Sequence, residues 1–270
     1  MACGVTTSST SGPRSDSRGA PAIGEWRDLL ARFPSAPPDL VFRRELSRRA
    51  DSKFVVSPAA AAAVLPPLAG EYAVLAAGDG LIASYRTLYF DTPDLDFFNA
   101  QRCGRRIRHK VRIRHYPDRR VTLLEVKTRR NDLETAKVWR EHEYGDSAMS
   151  AADQAFAEAY TGIHRGLDPQ VWTRFQRVTL LGVRTNERVT IDFDLEVNMG
   201  ERRRSLPGVA IVEVKQWPVS RSTPVMSALR AAGWRPAWAS KYCAAIAFTR
   251  PDVRLNALLP GIRGLERRAA

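Results

Sequence analysis

Cysteine is scarce in this chain: Cys3, Cys103 and Cys243 are the only three in 270 residues. The number is odd, and no Cys-x-x-Cys or Cys/His spacing accompanies them. That argues against a disulfide framework or a zinc knuckle and fits a reducing, cytoplasmic setting. Long apolar runs are missing as well. None approaches the roughly 18 residues that a membrane-spanning helix needs, and the first residues contain no apolar core of a signal peptide. A soluble cytoplasmic protein without a membrane segment is expected. Acidic residues are in deficit, with 29 Asp and Glu against 42 Lys and Arg, leaving a net charge of +13. Such an imbalance calls for an acidic partner: nucleic acid, a phosphate-rich small molecule or an anionic surface. Nucleic acid is the weaker option. Stacking on bases would favour exposed aromatics interleaved with Lys and Arg, whereas most aromatics here sit at strand ends or in apolar stripes.

The chain divides into three stretches. Residues 1–38 read as a disordered or loosely structured lead, rich in Ser, Thr, Gly and Pro near its start. Trp26, Leu29, Leu30 and Phe33 have helical spacing within it. Residues 39–250 form one continuous patterned region, and 251–270 read as a surface tail. In the middle region Ser57-Pro58, Ser150 and Thr223-Pro224 are helix starts. Strand patterns cover Tyr85 to Phe90, the Lys110 and Val121 segments joined at Tyr116-Pro117-Asp118, Val138 to Tyr144, Trp172 to Leu181, Glu187 to Val197, and Val209 to Gln216. About eight strands with few helices predict an α+β fold built on a closed antiparallel β-barrel with helices packed outside. Such a barrel is wide enough for side chains or one small ligand.

The strands share one peculiarity. Lys110-Val111-Arg112-Ile113-Arg114, Leu124-Glu125-Val126-Lys127, Val212-Glu213-Val214-Lys215 and Arg188 to Asp194 each alternate charge with aliphatics. Side chains alternate across a strand, so each has a charged stripe opposite an apolar one. One strand alone is explained by a solvated sheet face. Lys110, Arg112 and Arg114, however, form a purely basic stripe whose members repel one another unless an anion sits among them. Composition alone leaves both placements of the charged faces open, outside or inside.

The motifs resemble the polyphosphate polymerase (VTC) domain family of the triphosphate tunnel metalloenzymes, relatives of the CYTH phosphatases. In family order they are Ser52 to Val56, Thr87 to Thr92 with Leu95-Asp96, Lys110 to Tyr116, Glu125 to Thr128, Lys137 with Arg140, Arg188 to Asp192, Val212 to Lys215 and Ser240 to Tyr242. The resemblance implies a basic tunnel in which the γ-phosphate of a nucleoside triphosphate is transferred onto polyphosphate, with Mn2+ or Mg2+. It implies catalytic roles for Lys53, Arg112, Arg114, Lys127, Lys137, Arg188, Glu213 and Lys241. Lys110, Arg177 and Lys215 join the phosphate-binding set. Glu213 is the implied metal ligand and Glu125 a second candidate, with an ion pair to Arg112 or Lys127 as its competing role.

Several residues depart from the pattern or carry a second reading. The tunnel phosphatases carry Glu-x-Glu-x-Lys on their first strand, where this chain has Arg49-x-Asp51-x-Lys53, and the loss of carboxylates favours a polymerase over a hydrolase. Trp238 stands where the family often has a base. His109 and His115 should face away from the basic stripe. Asp91 reads as a turn residue, and Asp192 and Asp194 as partners for arginines or a metal on the Arg188 face. Arg202 to Arg204 read as a solvated loop. A triphosphate or polyphosphate hydrolase and a non-catalytic polyphosphate-binding module stay open as alternatives. Any coupling to a membrane would need a partner protein.

Overall fold

The computed structural model describes residues 19–46, 49–130 and 135–269. Residues 1–18 of the expected N-terminal lead, with Cys3, lie outside these residues, whereas within 19–38 the helix Ile23–Leu30 buries Trp26 and Leu30. The elements in chain order are α1 (Ile23–Leu30), α2 (Pro38–Arg43), β1 (Ala50–Val56), α3 (Pro58–Ala63), β2 (Tyr72–Val74), β3 (Ala83–Asp91), α4 (Asp96–Arg102), β4 (Arg108–Tyr116), β5 (Val121–Arg129), β6 (Thr135–His142), α5 (Ala151–Thr161), β7 (Asp168–Gly182), β8 (Glu187–Met199), β9 (Arg202–Leu206), β10 (Ala210–Gln216), α6 (Pro224–Ala231), α7 (Lys241–Thr249) and α8 (Leu259–Ala269).

The ten strands make one antiparallel sheet in the order β1-β10-β8-β7-β3-β4-β5-β6, with β2 added to β7 and β9 to β8. Among the described residues the outermost strands β1 and β6 do not pair, so hydrogen bonds do not close the sheet into the expected barrel. The chain from Ala237 to Lys241 lies at the seam. Ala237 N donates to Lys53 O on β1 at 2.7 Å, and Lys53 Nζ reaches Ala239 O at 3.1 Å. From the other side, Lys110 Nζ on β4 reaches Ser240 Oγ at 3.0 Å. Side chains and an irregular segment thus span a gap that a strand ladder would otherwise have to close.

Local chemistry sets the helix ends. Ser150 and Asp153 form a reciprocal capping box at the start of α5, and Gly162 ends that helix with φ of +69°. Ser57 Oγ accepts from Ala60 N, and Pro58 occupies the first turn of α3. The apolar faces of β1, β10, β8 and β7 place Phe54, Val212, Val214, Ile191 and Leu180 against Trp26 and Leu30 of α1, Ala61 of α3 and Leu229 of α6. Trp26 stacks on Phe193, ring centroids 4.4 Å apart. The apolar faces of β3, β4 and β5 cover Phe97, Phe98 and Ala157 of α4 and α5, in a cluster that continues into α7.

Three local expectations change. The last segment is no surface tail: α8 buries Ile262 and Leu265 in the main core. Its backbone comes so close to Trp238 that a Cβ at Gly261 would stand 2.3 Å from the indole. The arginine run of 202–204 lies on strand β9. There Arg203 pairs with Glu196 at 2.8 Å, and Arg202 donates to Thr249 O at 2.7 Å. Asp194 leaves the face of Arg188. It sits at a bulge with φ of +50°, where the β7–β8 register shifts between Arg174 and Gln176. One extra residue reverses the side-chain alternation. Leu195 and Val197 therefore turn to the side of Asp192 and pack in the cluster that contains α7.

Candidate phosphate-binding site

The strand register decides where the charged stripes go. Lys53 on β1 pairs with Glu213 on β10, and Lys215 with Arg188 on β8. Asp192 pairs with Arg177 on β7. On the far side, Tyr89 pairs with Arg112, Arg112 with Glu125, and Lys110 with Lys127, which in turn pairs with Lys137 on β6. Directly paired residues leave a sheet on the same side. All the predicted site residues on strands therefore share one face, and α7 brings Lys241 to it from beyond the seam. His109 and His115 point the other way, onto Thr128 and Thr122.

The face curls on itself. Lys127 on β5 is depressed to about 7, first by burial and then by the charges of Lys53 on β1 and Lys110 on β4, with Asp51 and Glu213 partly offsetting them. Strands at opposite edges of the sheet thus contribute to one enclosed electrostatic environment. Tyr89 reports the same potential. Burial raises its phenol, but Arg112, Arg114, Lys110 and Lys241 outweigh burial and hold it below its ordinary value.

Three carboxylates organise this face. Asp192, 2% exposed, takes Arg177 in a two-pronged contact at 2.5 and 2.7 Å and also accepts from Lys241. Glu125, 1% exposed, accepts from Arg112 at 2.5 Å, from the Tyr116 hydroxyl at 3.0 Å and from Lys137. Both of its oxygens are taken, and its partners are Arg112 and Lys137 rather than Lys127. Glu213, 14% exposed, contacts Lys215 at 2.7 Å and Lys53 at 3.6 Å. All three acids stay well below the usual carboxylate range. Burial opposes ionisation, but the paired cations win: Arg112 first for Glu125, Arg177 for Asp192 and Lys53 for Glu213.

The cations exceed what these acids neutralise. Among the described residues neither Lys127 nor Arg188 makes a hydrogen bond or ion pair, and Lys110 is held only by the neutral Ser240 hydroxyl. Arg188 is pushed below its ordinary value by burial, then by Arg177. Arg114 rests on Thr87 Oγ1 at 3.0 Å, its guanidinium 5.1 Å from the Tyr85 ring, which Arg177 also approaches at 4.9 Å. Tyr85 and Thr87, read from the sequence as strand and motif residues, have no site role there, although their parity with Tyr89 places them on this face. Aromatic and hydroxyl supports fix guanidinium planes without neutralising them. A buried surplus of positive charge is costly unless an anion completes it, and forked guanidiniums suit phosphate oxygens.

Asp91 has a structural task. Its carboxylate accepts from the backbone N–H groups of Thr92, Phe97 and Phe98, each at 2.8 Å, and from the Tyr242 hydroxyl. One buried acid thus caps α4 and anchors α7, the helix that carries Lys241. As for metal binding, no group of three or more His, Cys, Asp or Glu side chains suited to a metal occurs among the described residues. No helix among them is long and apolar enough to cross a membrane.

A family model described as the VTC domain matches residues 48–250. None of the curated proteins matches the chain. Among solved structures, a Hippeastrum protein named as an adenylyl cyclase candidate and described as having a dominant triphosphatase activity is similar at 14% identity. That match covers 74% of this chain and 95% of the other, with a TM-score of 0.50. An adenylate cyclase candidate from Bacillus halodurans is similar at 11% identity over 72% of this chain and 95% of its own, with a TM-score of 0.48. At such identities the Hippeastrum likeness bears on the fold alone.

Proposed function

The chain belongs to the VTC domain family, and from that premise we propose that it transfers the γ-phosphate of a nucleoside triphosphate onto a polyphosphate chain held on the concave basic face. The observation that carries this reading is the imbalance on that face, with Lys127, Arg188 and Lys110 left over after each carboxylate has taken its cations. Donor and acceptor are both polyanions, and their mutual repulsion is the main obstacle to bringing them together. Fixed cations offset it, and positioning with charge neutralisation is most of what phosphoryl transfer requires. The acceptor oxygen of a polyphosphate end is already ionised near neutral pH, so no general base has to activate it. Lys53, Lys110, Arg112, Arg114, Lys127, Lys137, Arg177, Arg188, Lys215 and Lys241 are assigned to the phosphates.

Glu213 is the carboxylate that fits a divalent cation such as Mn2+ or Mg2+. It is a hard oxygen donor, partly open to the cavity, on a strand with no second acid. Such an ion would take its remaining ligands from phosphate oxygens and water, as Mg2+ commonly does. When bound, it would add charge neutralisation between phosphate oxygens. Glu125 suits this role less, since it is more deeply buried and both its oxygens accept hydrogen bonds, whereas among the described residues Glu213 accepts on one oxygen only.

Hydrolysis of triphosphate or polyphosphate is the second reading. The fold is compatible with it, since the Hippeastrum structure described as a triphosphatase shares that fold. The sparse carboxylates of β1, where Arg49 pairs with Asp51 at 3.3 Å, weigh against it, because water needs stronger activation than a phosphate oxygen does. Purified protein incubated with ATP and Mn2+ or Mg2+ separates the readings. ADP with long-chain polyphosphate is expected. Free phosphate equal to ADP would establish the hydrolase, and polyphosphate binding without turnover a binding module. Glu213→Gln is expected to abolish turnover and keep polyphosphate binding; unchanged turnover would refute the metal assignment.

A further inference from the structure

We propose that Trp139 on edge strand β6 is the stacking platform for the nucleobase of the donor nucleotide. Trp139 lies directly across the β5–β6 ladder from Glu125, so its side chain leaves the sheet on the concave face. It is 56% exposed, whereas tryptophan is on average highly buried. Its strand neighbours are committed to the other face. Val138 packs against the core, and Arg140 lies near Asp153 and over the Phe156 ring. The strand is thus anchored while the indole is left to solvent.

Its position relative to the cations gives the exposure a purpose. Lys137 is two residues away on the same face, about 7 Å along the strand, and it pairs across the ladder with Lys127. A triphosphate seated on Lys127 and Lys137 would bring its nucleoside to the next row, which ends in Trp139. Among the described residues no strand flanks β6 on its outer side, so a base can enter edgewise there without displacing the strands described. Stacking uses the π-face that every base has. A platform that engages the base through its ring face would therefore take purine and pyrimidine nucleotides alike.

The inference rests on the reading of this face as a triphosphate site, and its test separates the two. Binding of ATP and of inorganic tripolyphosphate to the full chain is measured by calorimetry in Mg2+ for the native protein, Trp139→Ala and Trp139→Phe. Trp139→Ala is expected to weaken ATP about 5- to 150-fold, the equivalent of roughly 1–3 kcal/mol for one base–aromatic stack. Tripolyphosphate affinity should not change, and Trp139→Phe should keep most of the ATP affinity. Unchanged ATP affinity in Trp139→Ala, or an equal loss for both ligands, would overturn the stacking role and leave the phosphate site standing. Failure of the native protein to bind tripolyphosphate would overturn the triphosphate reading and this inference together.

Discussion

Lys127 makes the basic face measurable. Its ammonium is depressed to about 7 by burial and by Lys53 and Lys110, so near neutral pH about half of the free protein carries a neutral lysine there. A polyphosphate seated against it favours the charged form and must draw in a proton. When binding requires the protonated group, affinity falls about tenfold per pH unit above the free pKa, since one unit corresponds to about 1.36 kcal/mol. Between about pH 7 and 9 the loss would approach roughly fiftyfold, if the bound lysine stays protonated throughout. Ionisation of the ligand works in the opposite direction and is common to all variants, so the decisive quantity is the difference between proteins. Lys127→Arg keeps its charge across this range and should lose the slope. Lys127→Met should bind more weakly at low pH and lose the slope as well. Calorimetry of tripolyphosphate binding in buffers of different ionisation enthalpy would show greater proton uptake by the native protein than by either variant. Parallel pH profiles for the native protein and Lys127→Arg would refute the claim that Lys127 faces the bound phosphates.

Asp192→Asn strips the carboxylate charge from Arg177 and Lys241 on a buried face. Breaking such a pair costs about 3–5 kcal/mol, or roughly 6–10 °C in Tm at about 2 °C per kcal/mol. Tripolyphosphate should restore more of Tm in this variant than in the native protein, because the ligand's charge replaces the lost one; equal ligand-induced shifts in a thermal melt would count against a phosphate site here. Asp91→Ala leaves three backbone donors and the Tyr242 hydroxyl without their acceptor. At about 1–3 kcal/mol per unsatisfied buried group, it should be among the most destabilising single changes, with Tyr242→Phe much milder. A chemical denaturation series checks the order.

Much of the architecture is legible along the chain, because period-two alternation and helix caps are local. Ser57-Pro58, Ser150 and Thr223-Pro224 open helices where their chemistry predicts. The Lys110, Glu125 and Glu213 stripes are strands whose charged residues share a face. The elements that escaped are those whose cause is distant. Strand β9 exists because β8 supplies a partner for an arginine-rich segment. α8 is a helix with a core face only because Trp238 and the α7 layer lie beneath it.

By itself, then, the sequence determined which residues carry charge, which strand face each occupies where no bulge intervenes, and the excess of cations over acids. Alternation and composition need no partner to be read. Tertiary structure decided which cation meets which acid. It gave Glu125 to Arg112 and Lys137, Asp192 to Arg177 and Lys241, and Glu213 to Lys53 and Lys215. It also decided that Asp194 leaves the site at a bulge and that, among the described residues, β1 and β6 do not pair. The physical reason is that a strand's two faces are fixed by its own backbone. Ion pairs, by contrast, depend on register and on the curvature of the whole sheet, and a single inserted residue in β8 is enough to turn Asp194 off the shared face.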